Sequence, residues 1–172
     1  LCGQQAARDS KRRGLTRLNN LIEASPPQKG YLLSAIVSVY NSERFIRGCL
    51  EDLAGQSIAD RVEILVIDSG SEQNEESVVK EYQQAYTNIK YIKLAQRTSV
   101  YAAWNQAIKV AAGKYLTNAN TDDRHAPYAF ERMARELENR PNVALVYADQ
   151  WITETENENF DKFTPVGRFQ WK

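Results

Sequence analysis

The stretch LLSAIVSVYNSERFIRGCLEDLAGQSIADRVEILVID, residues 32–68, decides the fold class. It opens with a continuous apolar run rich in Val and Ile, which is typical of a strand buried on both faces. Residues 42–56 then place apolar side chains at helical spacing, with Ser42 as the predicted N-cap. The run 62–68 predicts a second buried strand. A strand, a helix and a strand in this order indicate a parallel β-α-β unit.

The same alternation continues along the chain as far as residue 149. The later elements are predicted in the order helix, strand, helix, strand, helix, strand, over residues 75–86, 89–95, 99–113, 114–119, 127–140 and 143–149. Gly113 is predicted to close the helix that precedes it. Regular alternation of this kind predicts an α/β fold, with a Rossmann-like, mostly parallel sheet and helices on both of its faces.

Three regions of the chain differ in composition. Residues 1–30 carry an apolar stripe at helical spacing and then a Pro-Pro-Gln-Lys-Gly break, so we expect an amphipathic helix and a linker. Residues 31–150 form the main domain, and residues 151–172 form an aromatic and acidic tail that we expect to be irregular. Because the chain opens with Leu1 rather than Met, we expect a piece of a longer protein.

The composition excludes several classes of protein. The chain has 22 Lys and Arg against 22 Asp and Glu, so its formal net charge is zero. Binding to DNA or RNA needs an excess of positive charge, and we expect no nucleic-acid partner. No apolar run has the length of a membrane span and no signal-peptide pattern is present, so we expect a cytoplasmic protein, with peripheral membrane contact left open. Cys2 and Cys49 fit no metal-ligand spacing and are expected to be free thiols.

Polar side chains stand where three of the predicted strands end. The first strand ends in Tyr40 and Asn41, the second in Asp68, and the fourth runs into Asp122 and Asp123. Ligands of open α/β sheets bind beyond the carboxyl ends of the strands, so we expect these clusters to share one rim. Tyr40 could stack on a nucleobase and Asp68 could accept a base N–H. The last two carboxylates, which we call the acid pair, are hard ligands that suit Mg²⁺ or Mn²⁺ bound together with phosphates.

Each of these residues also has a plainer interpretation. Tyr40 could be a half-buried strand-end residue, Asp68 could bond the backbone of its own turn, and the acid pair could cap the following helix. The sequence has no phosphate-binding loop of the Walker type and no Gly-x-Gly-x-x-Gly after the first strand, which disfavours ATPase and NAD-binding functions. The one histidine, His125, is interpreted as a surface loop residue.

The chain resembles family 2 glycosyltransferases of the GT-A fold over residues 33–150. The resemblance rests on SAIVSVYNSERFIRGCLEDLAGQS, on EILVIDSGS and, most specifically, on YAAWNQAIKVAAGKYLTNANTDD, a helix and strand that end in an Asp-x-Asp-like motif. It implies the donor-binding part of an enzyme that uses a nucleotide-sugar, usually a UDP-sugar, with a divalent metal, and that inverts the anomeric carbon.

The resemblance also implies roles for individual residues. Tyr40 matches the residue that stacks on uracil, and Ser38 a small hydroxyl residue that contacts the nucleotide. Asp68 matches the residue that recognises the base. Asp122 matches the carboxylate near the ribose and the metal, and Asp123 a metal ligand at the diphosphate.

The chain departs from the family pattern at two positions, and two further residues are assigned to the expected site. Ser69 replaces a carboxylate of the family pattern after the second strand, and Asn120 replaces the first Asp of the Asp-x-Asp motif. Asn41 is placed with the nucleotide because it follows Tyr40, and Arg97 because a cation after the third strand could meet the diphosphate.

The sequence does not identify the catalytic base. In the family this Asp or Glu follows well after the Asp-x-Asp motif, in the acceptor-binding half. Asp149 is the nearest candidate, so we expect this chain to bind donor but to transfer sugar poorly. The acceptor, whether carbohydrate, lipid-linked or protein, stays open. A nucleotide-binding module without catalysis and a sugar nucleotidyltransferase are the alternative functions.

Overall fold

The computed structural model describes residues 30–170 of the chain. A four-stranded sheet has the order β3-β2-β1-β4, and all of its pairs are parallel. Its strands are β1 (Leu33–Val39), β2 (Val62–Asp68), β3 (Ile89–Lys93) and β4 (Tyr115–Asn118). The helices are α1 (Glu43–Ala54), α2 (Glu75–Ala85), α3 (Val100–Val110) and α4 (Ala129–Asn139), and a short 3₁₀ helix covers Ala59–Arg61. The predicted α/β fold is confirmed.

The register of β1 and β2 places the carboxyl ends of these two strands side by side. Leu33 of β1 pairs with Val62 of β2, and the pairing continues to Val39 and Asp68. On the other side of β1, Ile36 pairs with Asn118, the last residue of β4. Since β1 lies between β2 and β4, the loops that follow all three strands leave the sheet along the same rim.

The two faces of the sheet are covered by different helices. Alternate residues of β1, among them Ala35 and Val37, face a core formed with α1, α2 and α4, in which Ile46 and Leu50 are fully buried. Ile36 faces the opposite side with Ala103 and Ala107 of α3, and alanine at these positions lets the helix lie close to the sheet. Each fully buried Ile or Leu contributes about 1.5–3 kcal/mol, so the larger core on the first face holds α1 firmly.

A buried carboxylate joins the amino ends of the strands. Glu63 is fully buried and accepts hydrogen bonds from Ser34 Oγ at 2.6 Å, Lys90 Nζ at 2.5 Å and the Ala112 amide at 2.8 Å. Burial raises the pKa of Glu63, but these hydrogen bonds outweigh burial, and the pKa lies below its ordinary value. The ionised carboxylate therefore stabilises the fold.

Gly113 has a different role from the predicted helix end, because α3 already ends at Val110. The Gly113 amide donates to Ser34 Oγ at 2.9 Å. A Cβ atom on Gly113 would lie 2.4 Å from the Ser34 nitrogen and 2.5 Å from the Leu33 carbonyl carbon. Glycine is required here because the chain entering β4 passes against the backbone of β1.

The predicted fifth strand over residues 143–149 is wrong. Within residues 30–170 this segment forms no strand pairing, and the Leu145 side chain is 75% exposed. An apolar, β-branched pattern gives only a tendency, and a strand exists only where a second backbone pairs with it. The described part of the sheet ends at β4, with which this segment forms no strand pairing.

The tail is also more regular than expected. Gln150–Thr153 (β5) and Pro165–Phe169 (β6) pair as an antiparallel ribbon, with an irregularity between Ile152 and Thr153. The strands have only four and five residues, and the acidic connection between them has no period, so the sequence pattern did not reveal them. The helix and linker predicted for residues 1–30 lie outside the described residues, apart from Gly30. Among the described helices, none is long and apolar enough to cross a membrane.

Candidate functional site

The loops after β1 and β2 are bound to each other at the rim. The Asn41 amide donates to Ser71 Oγ at 3.1 Å, and the Glu72 amide donates to Asn41 Oδ1 at 2.9 Å. Asn41 has φ of 50°, a left-handed conformation that asparagine tolerates better than most residues. Asn41 therefore shapes the turn that carries Tyr40.

Side chains at and just before the start of α2 accept backbone amides at the start of α1. Ser42 occupies the N-cap position as predicted, but its hydroxyl makes no cap hydrogen bond and donates instead to the Tyr40 carbonyl at 3.1 Å. The buried Glu75 carboxylate accepts the Ser42 amide at 2.5 Å, and Gln73 accepts the Glu43 amide at 3.2 Å. These contacts hold the loop after β1, which carries Tyr40, against the segment between β2 and α2.

Tyr40 and Arg97 contact each other. The Arg97 guanidinium carbon lies 4.2 Å from the centre of the Tyr40 ring, which is half-buried while Arg97 is exposed. A Cβ on Gly70, whose φ is 78°, would lie 3.2 Å from the Arg97 nitrogen. Gly70 thus allows the Arg97 loop to approach the rim. The structure brings together two residues that the sequence predicted separately.

Asp68 is buried and its carboxylate is already engaged. Oδ1 accepts the Ser71 amide at 2.7 Å, and Oδ2 accepts the Tyr91 hydroxyl at 2.5 Å. Burial and the hydrogen bond to Asp68 raise the pKa of the Tyr91 hydroxyl above its ordinary value. These contacts are those of a turn residue, the plainer of the two interpretations, and recognition of a base by Asp68 stays a prediction.

Two further rim residues, Ser38 and Ser69, contact residues in or just before α3. Trp104 of α3 donates its Nε1 hydrogen to Ser38 Oγ at 3.3 Å. The Ser69 hydroxyl, which stands in place of a family carboxylate, lies 3.2 Å from the Thr98 hydroxyl. Ser38 is only partly buried and stays accessible to a ligand at the end of β1.

The acid pair lies on an exposed loop beyond β4. Asn120 donates its side-chain amide to Asp123 Oδ2 at 3.0 Å, and the Asp123 amide lies 3.3 Å from the Asn120 carbonyl oxygen. The Ala119 amide bonds to the Ile36 carbonyl, which fixes the start of this loop beside β1. In residues 30–170 no hydrogen bond joins either carboxylate to the first turn of α4, so the pair is not a helix cap.

The acid pair could supply part, but not all, of a metal site. Among the described residues no three His, Cys, Asp or Glu side chains are grouped so as to hold a metal ion. Asp122 and Asp123 are both exposed and keep free oxygen lone pairs. One or two carboxylates, completed by phosphate oxygens and water, are a usual ligand set for Mg²⁺. The donor chemistry therefore fits a divalent ion that arrives with a diphosphate.

The residues that follow the acid pair turn toward the protein interior. Arg124 forms an ion pair with Asp52 of α1, with Nε 2.7 Å from Oδ2. His125 packs edge-on against Phe130, with ring centres 5.4 Å apart, and burial lowers its pKa. The interpretation of His125 as a surface residue is wrong. The contact joins a loop residue to a helix residue five positions later, so no helical spacing in the sequence indicated it.

Asp149 is not at the end of a sheet strand. It immediately precedes β5, and its carboxylate pairs with Arg168 of β6, whose guanidinium carbon also lies 5.2 Å from the Trp151 ring centre. The structure therefore places Asp149 on the terminal ribbon, while Ser38, Tyr40, Asn41 and the loop of Arg97 lie at the rim of the sheet.

A separate cavity lies beside α1. It has a volume of ≈ 180 Å³ and is lined by residues that include Asp52, Arg124, His125 and Phe160. None of the residues predicted to bind nucleotide or metal lines it.

The arrangement of the sheet, with aromatic and acidic side chains beyond its strand ends, defines an α/β domain of the GT-A type, and comparison with known proteins agrees. The profile of Glycosyl transferase family 2 matches residues 34–169. The chain belongs to this family.

Relatives and solved structures are similar to the chain over part of their length. An uncharacterized glycosyltransferase of Methanocaldococcus jannaschii, MJ1057, is 27% identical over 78% of this chain and 47% of its own. The uncharacterized glycosyltransferase YibD of Escherichia coli is 33% identical over 72% of this chain and 36% of its own. The crystal structure of S. aureus TarS 1–349 in complex with UDP superposes with a TM-score of 0.60 at 26% identity, over 63% of this chain and 32% of that one. The chain thus spans less than half the length of these proteins.

Proposed function

We propose that the chain is the donor-binding part of an inverting glycosyltransferase that takes a UDP-sugar together with Mn²⁺ or Mg²⁺. The observation that carries this proposal is the position of Tyr40 with Arg97 and of the exposed acid pair beyond neighbouring strands of one sheet. TarS of S. aureus, at 26% identity, has been crystallised with UDP and with UDP-GlcNAc, which supports a uridine nucleotide.

The nucleoside end of the donor is assigned to the loop after β1. The Tyr40 ring offers a stacking surface for the base, and Ser38 and Asn41 offer a hydroxyl and an amide beside it. Asp68 lies beneath this loop, where each of its oxygens keeps a second lone pair after bonding Ser71 and Tyr91. A uracil N3–H is the donor that would match such an acceptor.

The diphosphate end is assigned to the space between Arg97 and the acid pair. Arg97 is exposed and its guanidinium is held over Tyr40 rather than by a carboxylate, so it is free to meet a phosphate. Asp122 and Asp123 would hold the divalent ion, which supplies positive charge that stabilises the diphosphate as it leaves. Asn120 holds one oxygen of Asp123 and so orients its carboxylate.

Transfer by this chain alone is expected to be weak. An inverting transfer needs a general base that removes the proton from the acceptor hydroxyl as it attacks. Asp149 is the candidate that the sequence offers, and its carboxylate is engaged by Arg168 on the terminal ribbon. We therefore assign donor binding to this chain and leave acceptor activation to residues outside the rim.

A thermal-shift panel tests the assignment of the donor. The chain is heated with UDP, GDP, dTDP or CDP, each with Mn²⁺ and with a chelator. A ligand that binds only the folded state raises the unfolding midpoint. We expect the largest rise with UDP and Mn²⁺. An equal response to all four nucleotides, or none at all, would contradict the proposal.

A further inference from the structure

Arg124 directly follows the acid pair. Glu51 Oε2 of α1 lies 3.8 Å from its Nη2, and Asp52, one residue further along α1, holds its guanidinium at two points. The Arg124 side chain is 11% exposed and that of Asp52 is 12% exposed. Nε lies 2.7 Å from Asp52 Oδ2, and Nη2 lies 2.8 Å from Oδ1. This two-point geometry is specific to the planar guanidinium, because a lysine ammonium is a point charge and cannot reproduce it.

The same carboxylate also binds the backbone of the loop. The His125 amide donates to Asp52 Oδ2 at 2.8 Å. Asp52 therefore fixes a side chain and a main-chain amide from two consecutive residues, so that the loop can neither rotate about Arg124 nor slide along α1. Asp123 is the residue immediately before this anchor, and its backbone position is set by it.

The connection between β5 and β6 also accepts hydrogen bonds from the Arg124 guanidinium. Arg124 Nη1 donates to the Asn157 carbonyl oxygen at 3.2 Å and lies 3.4 Å from Asn157 Oδ1. Gly48 of α1 leaves the room for this contact, since a Cβ there would lie 3.0 Å from Arg124 Nη1 and 2.8 Å from Asn157 Oδ1. The ion pair thus connects α1, the loop of the acid pair and the connection between β5 and β6.

We propose that Arg124 is a positioning residue that, through Asp52, holds the acid pair in the geometry needed to bind a divalent ion with a diphosphate. The inference rests on the proposed function. Two adjacent carboxylates repel each other, and a loop without an anchor relaxes by separating them. An anchored loop has fewer conformations, so that less ordering is required when the ion binds.

The chain contains a matched control for this ion pair. Arg47, also on α1, contacts Glu81 of α2 through two hydrogen bonds of 2.8 and 2.7 Å. Its side chain is 48% exposed, and it contacts neither the acid pair nor residue 157 among the described contacts. Arg47→Lys therefore removes the same two-point geometry from an ion pair that joins α1 to α2 and has no described contact with the acid pair.

The experiment compares UDP binding to the parent chain, Arg124→Lys, Asp52→Asn and Arg47→Lys. Calorimetry with Mn²⁺ and with a chelator gives, for each chain, the factor by which the metal strengthens UDP binding. We expect this factor to fall about 10- to 100-fold in Arg124→Lys and Asp52→Asn, the usual cost of removing a partner that orients metal ligands. We expect UDP affinity in chelator to be unchanged, and Arg47→Lys to behave as the parent.

Each other outcome overturns the inference in a distinguishable way. If the parent shows no metal effect, the proposed function fails together with the positioning role. If the parent shows the effect and Arg124→Lys retains it, only the positioning role fails. An equal loss of affinity with and without metal means that the ion pair merely supports the fold.

Gly48→Ala keeps the test decisive if both variants of the ion pair fail to fold. This change adds one methyl group against Arg124 Nη1 and Asn157 without removing a charge, and alanine favours the helix. We expect the variant to fold, because the atoms that the methyl group meets are the ends of side chains that can move, and we expect the metal to strengthen its UDP binding by a smaller factor. If Mn²⁺ strengthens UDP binding to this variant by the same factor as in the parent, the positioning role is overturned.

Discussion

Replacing Tyr40 by alanine removes the ring that Arg97 covers at 4.2 Å, and the expected loss of nucleotide affinity can be worked out from that contact. Stacking of a base on an aromatic side chain is worth about 1–3 kcal/mol. In the free protein the ring already carries the guanidinium, an exposed cation–π contact worth about 0.5–1 kcal/mol. A base on the same ring face must displace this contact. With the middle of each range, the net loss is about 1.2 kcal/mol, or about 8-fold in Kd.

The assay is calorimetric titration with uridine and with UDP. Tyr40→Ala should weaken the binding of both ligands by the same factor, since the ring is assigned to the base. Arg97→Ala should weaken UDP, since the guanidinium is assigned to the diphosphate, and should bind uridine at least as tightly as the parent, because no cation then has to leave the Tyr40 ring. Tyr40→Phe is the control for the ring and should bind UDP as the parent does, because the described contacts of Tyr40 involve its ring and its carbonyl oxygen.

Two results would refute this reasoning. If Tyr40→Ala binds UDP with unchanged Kd, the base does not lie on the loop after β1. If Tyr40→Phe loses as much affinity as Tyr40→Ala, the hydroxyl rather than the ring face makes the contact.

Three further changes test the metal site and the fold. Asp123→Ala should remove the effect of Mn²⁺ on UDP binding and leave the unfolding midpoint unchanged, because the carboxylate is exposed; an unfolded variant would show that the residue is structural. Glu63→Gln should cost about 1–3 kcal/mol near neutral pH. Since the folded pKa of Glu63 lies below 4.5, its contribution is present above that pH and is lost as the pH falls through the lowered pKa. Thermal melts should therefore show a smaller acid-induced fall for the variant than for the parent, and parallel curves would contradict the assignment. Gly113→Ala should destabilise by about 1–3 kcal/mol in denaturant unfolding, because its Cβ meets the Ser34 backbone at 2.4 Å; a variant as stable as the parent would show that the chain can move aside.

The sheet was predictable from sequence because burial on both faces leaves a local pattern. β1 and β2 lie at the centre and are almost fully buried, and their continuous apolar runs stand out against the spacing of the intervening helix. The position of the acid pair beyond β4 was predicted correctly, because the apolar run before it marks the strand, and its role as a metal ligand stays a prediction. Residues 143–149 were predicted wrongly as a strand, because an apolar run does not specify a partner strand.

The contacts that organise the site were not predictable, because they join residues that are distant along the chain. Asp52 and Arg124 are 72 positions apart, and Glu75 and Ser42 are 33 apart. No local period or motif connects them. The pairing of Arg97 with Tyr40 likewise depends on how closely the loop near Gly70 allows the chain after β3 to approach, which only the three-dimensional arrangement reveals.

The measurement that tests the central claim most directly is calorimetric titration of the chain with UDP, once with Mn²⁺ and once with a chelator. We expect saturable binding at one site that is markedly tighter with Mn²⁺, because the acid pair and the diphosphate would share the ion. Equal affinity in the two conditions would remove the metal from the account. Absence of UDP binding in both conditions would contradict the assignment of this rim to a nucleotide-sugar.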